Sequence, residues 1–329
     1  MSVLIVGGAG FIGSQTAKHV AAAGLSPVVF DNLSSGHRWA LRWGAFEQGE
    51  LADRAALARV IDAHAVTSVI HFAGFIQVGE SVRDPRKYFE NNVVATLGLL
   101  DVLVERGVRD VVFSSSAAVY GAPVRVPLDE DHPVDPLSPY GDSKAFVERM
   151  LRWYGDAYGL RWAALRYFNA AGADPAGELG EEHDAESHLI PLAIEAALGG
   201  PVLSLFGTDY PTPDGTAIRD YVHVADLADA HVLALGHLAG GGASFAANVG
   251  TGTGHSVREV ITSVERIGGR EVARREVARR AGDSPELVAD PRRIQALLGW
   301  RPRHAALDVM VEHAWNWRTR ASRAPRPGR

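Results

Sequence analysis

Val3-Leu4-Ile5-Val6-Gly7-Gly8-Ala9-Gly10-Phe11-Ile12-Gly13 stands at the head of the chain and decides its fold. Four consecutive apolar residues predict a short strand buried on both faces. The glycines after it satisfy both G-x-G-x-x-G and G-x-x-G-x-x-G, the spacing of a tight strand-to-helix turn. Lacking Cβ atoms, such a turn lets the backbone approach a pyrophosphate, and the next helix aims its free N–H groups and positive dipole end at the phosphates. Gly7, Gly10 and Gly13 are therefore candidate dinucleotide-binding residues. Asp31 ends the second apolar run, 18 residues beyond Gly13. A carboxylate there accepts both adenosine ribose hydroxyls and repels a 2′-phosphate, which favours NAD. Arg38 and His37 lie near enough to keep NADP open at this stage.

Working outward, short β-branched runs alternate with longer amphipathic stretches, the pattern of βαβ units around a parallel sheet. Strands are expected at 3–6, 27–30, 45–48, 68–72, 110–114 and 162–166. Helices are expected at 11–23, 53–63 and 84–106, and from 138 onward. The class is α/β, a doubly wound parallel sheet with a smaller C-terminal lobe. Residues 1–168 would form the dinucleotide-binding domain, with 220–250 returning to it. Residues 169–219 and 251–329 would form the second lobe. Residues 169–188, rich in Gly, Ala, Asp and Glu, read as a functional loop. Helices follow at 191–198, 224–235, 257–267, 291–298 and 306–317. The tandem Glu271–Arg275 and Glu276–Arg280, both Glu-Val-Ala-Arg-Arg, is too short to build a solenoid.

Composition narrows the function. The chain has 329 residues, no cysteine and a net charge of −6. It therefore carries no disulfide, thiolate nucleophile or Cys-ligated zinc. The negative charge speaks against nucleic acid in spite of thirty arginines. No apolar run approaches the ~20 residues of a membrane helix, and no targeting segment precedes the first strand, so a cytoplasmic protein is expected. Arg318, Arg320, Arg323, Arg326 and Arg329 read as a solvated basic terminus. His183 and His188, among Glu181, Glu182, Asp184 and Glu186, match no metal spacing, and no metal is expected there.

Only three lysines occur, and Lys144 lies four residues after Tyr140, on the same helix face. The strand before it ends in Ser114-Ser115-Ser116, at the carboxyl end where open α/β sheets bind ligands. A phenol titrates near 10 and is a poor base at neutral pH. A nearby ammonium and a positive nicotinamide would favour the phenolate. Tyr140 could then take a proton from a substrate hydroxyl held by Ser116, with Lys144 beside it.

These motifs resemble the UDP-glucose 4-epimerase family of the extended short-chain dehydrogenase/reductase superfamily, over nearly the whole chain. The resemblance rests on Gly7–Ser14, Asp31-Asn32, residues 71–74, 78–81, 91–93, 113–116 and 119–121, and Ser138-Pro-Tyr-Gly141. It continues in Arg166-Tyr-Phe-Asn169, residues 206–207, 209–211 and 214–216, Arg219-Asp-Tyr221 and Gly282-Asp283. It implies reversible NAD-dependent inversion at C4 of UDP-glucose and UDP-galactose through a 4-keto sugar, in a homodimer formed through the helices near 84–106 and Tyr140. Cofactor contacts are implied for Phe11, Ile12, Asp31, Asn32, Glu50, Leu51, Phe72, Ala73, Gly74, Asn91, Ser114, Tyr140, Lys144 and Phe168. UDP-sugar contacts are implied for Ser116, Asn169, His188, Leu189, Leu205, Phe206, Arg219, Arg280 and Asp283, the arginines suiting a diphosphate.

Several positions depart from the family pattern. Glu50 stands for a common Asp, Ile76 for a lysine, Ala118 for a Thr and His188 for an Asn. Leu287 falls where residue size bears on N-acetylated sugars. Epimerases of other UDP-sugars, a nucleotide-sugar dehydratase and a non-catalytic NAD-binding scaffold are the alternative readings.

Overall fold

A computed structural model describes residues 1–183, 185–280 and 282–321. Strands β1 (Ser2–Val6), β2 (Ser26–Asp31), β3 (Ala45–Gln48), β4 (Val66–His71), β5 (Asp110–Ser116) and β6 (Arg161–Tyr167) join Phe245–Val249 in one sheet. The order is β3-β2-β1-β4-β5-β6 and then Phe245–Val249, with every pair parallel. Chain direction across the sheet reverses between β1 and β4, the switch point at which such sheets bind ligands beyond their carboxyl ends.

Successive side chains of a strand face opposite ways, so each apolar run supplies two cores. Leu4, Val6, Phe30 and Val111 pack against Leu57 and Ile61 of α2 (Arg54–Ala63), Leu99 and Leu103 further on, and Val147 and Leu151. Val3, Ile5, Val29 and Val112 face the other way, onto Ala17 and Val20 of α1 (Phe11–Ala22) and Leu227, Leu235 and Leu238 of the helix Val224–Ala239.

The expected long helix at 84–106 runs without interruption from Pro85 to Glu105, with its middle widened into a π-helical segment. Short helices α3 (Val78–Arg83) and α4 (Pro85–Tyr88) precede a π-helical segment, Phe89–Val94, before α5 (Ala95–Glu105). Asp84 caps α4 by accepting from the Lys87 N–H at 3.2 Å. The wider segment turns Asn92 inward, where it accepts from Phe75 N–H (2.9 Å) and donates to Phe75 C=O (3.0 Å). This holds the β4 loop against the helix. The long helix α6 (Pro139–Tyr158) follows, as expected from Ser138, whose hydroxyl accepts from Gly141 N–H at 3.1 Å.

The expected loop at 169–188 opens with a short strand, Asn169–Ala171, parallel to Ile218–His223. Ile218–His223 also pairs with Gly254–Ser256 and Glu286–Leu287. Leu203–Phe206 pairs in parallel with Arg274–Val277, which straddles the two Glu-Val-Ala-Arg-Arg copies. A third core lies among the helices Leu189–Ala197, Val257–Gly268 and Leu307–Ala321. The last helix runs beyond the expected 317, and its Arg318 pairs with Glu195 instead of joining a solvated tail. Arg323, Arg326 and Arg329 lie outside the described residues.

Beneath the sheet's carboxyl end, the buried Arg166 donates to Glu148 (Nε–Oε1 2.9 Å, Nη2–Oε2 2.5 Å) and to the Tyr120 hydroxyl at 3.0 Å. Ser115 Oγ donates to the same Glu148 carboxylate at 2.5 Å.

Three imidazoles, His71, His223 and His231, are buried and held neutral chiefly by desolvation, at about 3, 3 and 4 against an ordinary 6.5. Neighbouring cationic groups push the first two further down. The unfolded chain binds the protons that these rings refuse. Their contribution is therefore whole above pH 6.5 and is lost as pH falls toward the folded values. Urea titrations should show unfolding free energy dropping between pH 6.5 and 5 by up to ~1.4 kcal/mol per pH unit for each group. A flat profile across that interval would contradict the assignment.

Candidate functional site

The carboxyl ends of β1, β2, β4, β5 and β6 open into one cavity of about 920 Å³. Its floor is the turn after β1. Gly7 has φ +80°, and a Cβ there would stand 2.5 Å from Ala73 N. A Cβ on Gly13 would meet Gly7 O at 2.3 Å. Helix α1 starts at Phe11 with no side-chain cap, leaving its first N–H groups to the cavity side of the turn. Asp31 is preorganised: Oδ2 accepts from Ala9 N–H (2.9 Å) and Oδ1 from Leu33 N–H (2.8 Å). A dinucleotide fits this cradle, with the helix end for its pyrophosphate and Asp31 for a ribose. Asn32 donates to the Glu50 carboxylate at 2.9 Å, so the two side chains share one wall.

Tyr140, Ser116 and Lys144 meet at the far end of the cavity. A Cβ on Gly141 would lie 2.5 Å from Ala118 O, so the first turn of α6 rests directly on the turn after β5. That contact sets the Tyr140 phenol near the Ser116 hydroxyl on the same cavity wall. Ser116 Oγ accepts from Ala118 N–H at 3.1 Å. Lys144 Nζ donates to the Ser114 carbonyl at 2.8 Å, 4.9 Å from the centre of the Phe113 ring and 5.9 Å from that of Tyr140.

The electrostatics differ from the sequence expectation. Burial pushes the Tyr140 phenol up, and the Ser116 hydrogen bond only partly opposes it. Burial lowers Lys144 itself to about 8, with the Glu148 carboxylate working against the fall.

The structure gathers most of the anticipated residues on the cavity walls. Gly7, Gly10, Phe11, Ile12, Gly13, Asp31, Asn32, Glu50, Leu51, Phe72, Ala73, Gly74, Asn91, Ser114 and Phe168 line the dinucleotide side. Ser116, Tyr140, Lys144, Asn169, His188 and Arg219 line the rest. Leu189, Leu205, Phe206, Arg280 and Asp283 are not on its walls. Leu205 points into the third core, because alternation along Leu203–Phe206 turns it inward. Arg280 lies over the Phe206 ring at 3.9 Å, and Asp283 reaches the site only through Arg219 Nη2, at 3.4 Å.

Other residues on the walls escaped the sequence reading. Tyr167, hydrogen-bonded to Ser114, follows Arg166 in a motif already singled out, and Lys87 is one of only three lysines. Glu181 and His183 also line the cavity, and with Glu186 and His188 they form one cluster. Burial opposes the charge on His188, but Glu181 and Glu186 outweigh it and raise the imidazole to about 10. Burial likewise pushes Glu186 up, and hydrogen bonds from His183 and His188 more than reverse that, holding it well below the carboxylate range.

Comparison with known proteins agrees with this geometry. Residues 3–250 match the model of the NAD dependent epimerase/dehydratase family. The UDP-glucose 4-epimerase of Rhizobium meliloti is 49% identical over 320 residues, 97% of each chain. That of Azospirillum brasilense is 50% identical over 317 residues, 96% of this chain and 91% of the other. A crystal structure of UDP-glucose 4-epimerase from Brucella ovis in complex with NAD superposes with a TM-score of 0.94 at 52% identity, covering 95% of this chain and 97% of the other. Glycine turn, switch-point cleft and full-length kinship agree: the chain belongs to the NAD dependent epimerase/dehydratase family.

Proposed function

We propose that the chain catalyses reversible inversion at C4 of the hexose in UDP-glucose and UDP-galactose. The observation that carries this is the joining of Tyr140, Ser116 and Lys144 to the glycine cradle in one cleft, with Arg219 on the same walls. Relatives that span nearly all of the chain and bear the name UDP-glucose 4-epimerase support it, as does the Brucella ovis structure with NAD. NAD, once bound, supplies the two-electron acceptor and donor that the sugar carbon requires. Residues on the seven-stranded sheet would hold it, and the smaller lobe would hold the UDP end.

The chain's own residues divide the remaining work. Ser116 holds the 4-hydroxyl oxygen by hydrogen bond. Tyr140 takes its proton as C4 becomes a ketone, and returns it when the ketone is reduced from the other face. Lys144 fixes the Ser114 carbonyl and places a positive charge beside the phenol. Turning the sugar over requires a firm grip on the diphosphate and little grip on the ring. Arg219 suits the first demand. Ala117, Ala118 and Leu287 on the walls suit the second, since they offer the ring no side-chain hydrogen bonds. Elimination of a 6-hydroxyl would need an acid and a base at 117 and 118, where two alanines stand.

Tyr140→Phe keeps the ring and removes the proton carrier, so kcat for UDP-galactose should fall by about 10²–10⁴-fold. Wild-type turnover in that variant would remove Tyr140 from the proton transfer. Arg219→Met should raise KM for the UDP-sugar roughly 30-fold or more, with a much smaller change in kcat. An unchanged KM would place the diphosphate elsewhere.

A second copy of the chain is the partner that fits the exposed apolar face of α6 and its neighbours. Phe146 and Trp153 on α6 are 41% and 70% exposed, and Val94 and Leu97 are 61% and 40% exposed. Light scattering should therefore report a dimer, and Trp153→Glu should shift it to monomer. A monomer at all concentrations would exclude this interface.

A further inference from the structure

Beside the cleft, the segment before the helix Leu189–Ala197 folds four metal-ligating side chains together that the sequence spacing had not linked. One donor atom from each of Glu181, His183, Glu186 and His188 lies within 4.8 Å of all the others. His183 Nδ1 is 3.2 Å from Glu186 Oε2 and 3.5 Å from Glu181 Oε1. His188 Nδ1 is 3.5 Å from Glu186 Oε1 and hydrogen-bonds Glu181 Oε1. Four donors bound to a tetrahedral ion at about 2.0–2.2 Å stand roughly 3.3–3.6 Å from one another. His183 Nδ1 already lies at or within about 0.1 Å of that spacing from both Glu181 Oε1 and Glu186 Oε2.

A second observation is independent of the donor spacing. Glu181, His183 and Glu186 line a separate cavity of about 20 Å³. That is room for one water-sized body. The cationic Arg318 on its wall is engaged by Glu195. Glu186 is further steadied by the N–H groups of Ser187 (2.7 Å) and His188 (2.8 Å).

We propose that Glu181, His183, Glu186 and His188 bind one divalent transition-metal ion, Zn²⁺ being the ion that suits the set. Two imidazoles select against Mg²⁺ and Ca²⁺, which prefer all-oxygen shells. Two carboxylates neutralise the dication. As it enters, it takes the place of the protons that the imidazoles share with the carboxylates, so charge at the site changes little. Four protein donors fill a tetrahedral shell, which makes this a structural clasp and not a catalytic metal. It ties the stretch 181–188, three of whose ligands also line the main cleft, to the helix that starts at Leu189. The inference does not depend on which UDP-sugar is turned over, because its readout is metal binding.

Untagged full-length protein, stripped with chelator and dialysed, would be titrated with ZnCl₂ and, separately, MgCl₂ by calorimetry. One equivalent of Zn²⁺ should bind and Mg²⁺ should not. His183→Asn and Glu186→Gln should each weaken Zn²⁺ by at least about tenfold. Zn²⁺ should raise the melting temperature of the parent more than that of either variant. Absence of stoichiometric Zn²⁺ binding, or equal affinity in parent and variants, would overturn the site. Should either variant fold poorly, zinc-edge anomalous scattering from parent crystals decides, since a peak absent from the four donors overturns it equally.

Discussion

The closeness of two backbones at the centre of the sheet is the constraint on which the rest depends. A Cβ at Gly7 would lie 2.5 Å from Ala73 N, so the turns leaving β1 and β4 touch with nothing between them. That contact lies where the strand order reverses across the sheet. It leaves the start of α1 uncapped and facing the cleft, and sets Asp31, Phe72, Ala73 and Gly74 around the same opening. A second backbone contact of the same kind, Gly141 on the Ala118 carbonyl, sets α6 against the turn after β5. The first contact makes a cradle for a dinucleotide. The second places Tyr140, Ser116 and Lys144 at one end of it.

Burial then decides how those side chains behave. Desolvation drives Tyr140 toward its neutral form and Lys144 toward losing its proton, and the fold opposes each only in part. The Glu148 carboxylate favours the ammonium, while Arg166 and Ser115 hold Glu148 in place. The phenol has no comparable partner apart from Ser116.

Local signals were legible wherever a function is confined to a few consecutive residues. The glycine turn, Asp31 and the Tyr140–Lys144 pair each lie within one turn of backbone, and each stands on the cavity wall where the sequence put it. The helix at 84–106 was legible from its apolar period, while its π-helical middle, where Asn92 bonds to Phe75 across a loop, carries no local signal. Leu205 was implied as a UDP-sugar contact by the resemblance, yet strand alternation turns it into the core of the smaller lobe. The cluster of Glu181, His183, Glu186 and His188 matches no ligand spacing, and only the three-dimensional structure brings its donor atoms together.

By itself the sequence determined the sheet, its winding and the chemical types at its carboxyl edge, because hydrophobic period and glycine spacing act over a few residues. Only the tertiary structure decided which groups touch. It sent Lys144 to the Ser114 carbonyl, Arg166 to Glu148 and Asp283 to Arg219, and it raised the phenol that the sequence expected to be lowered. The reason is physical: desolvation and pairing depend on what lies across the cleft, and that is set by packing between distant segments.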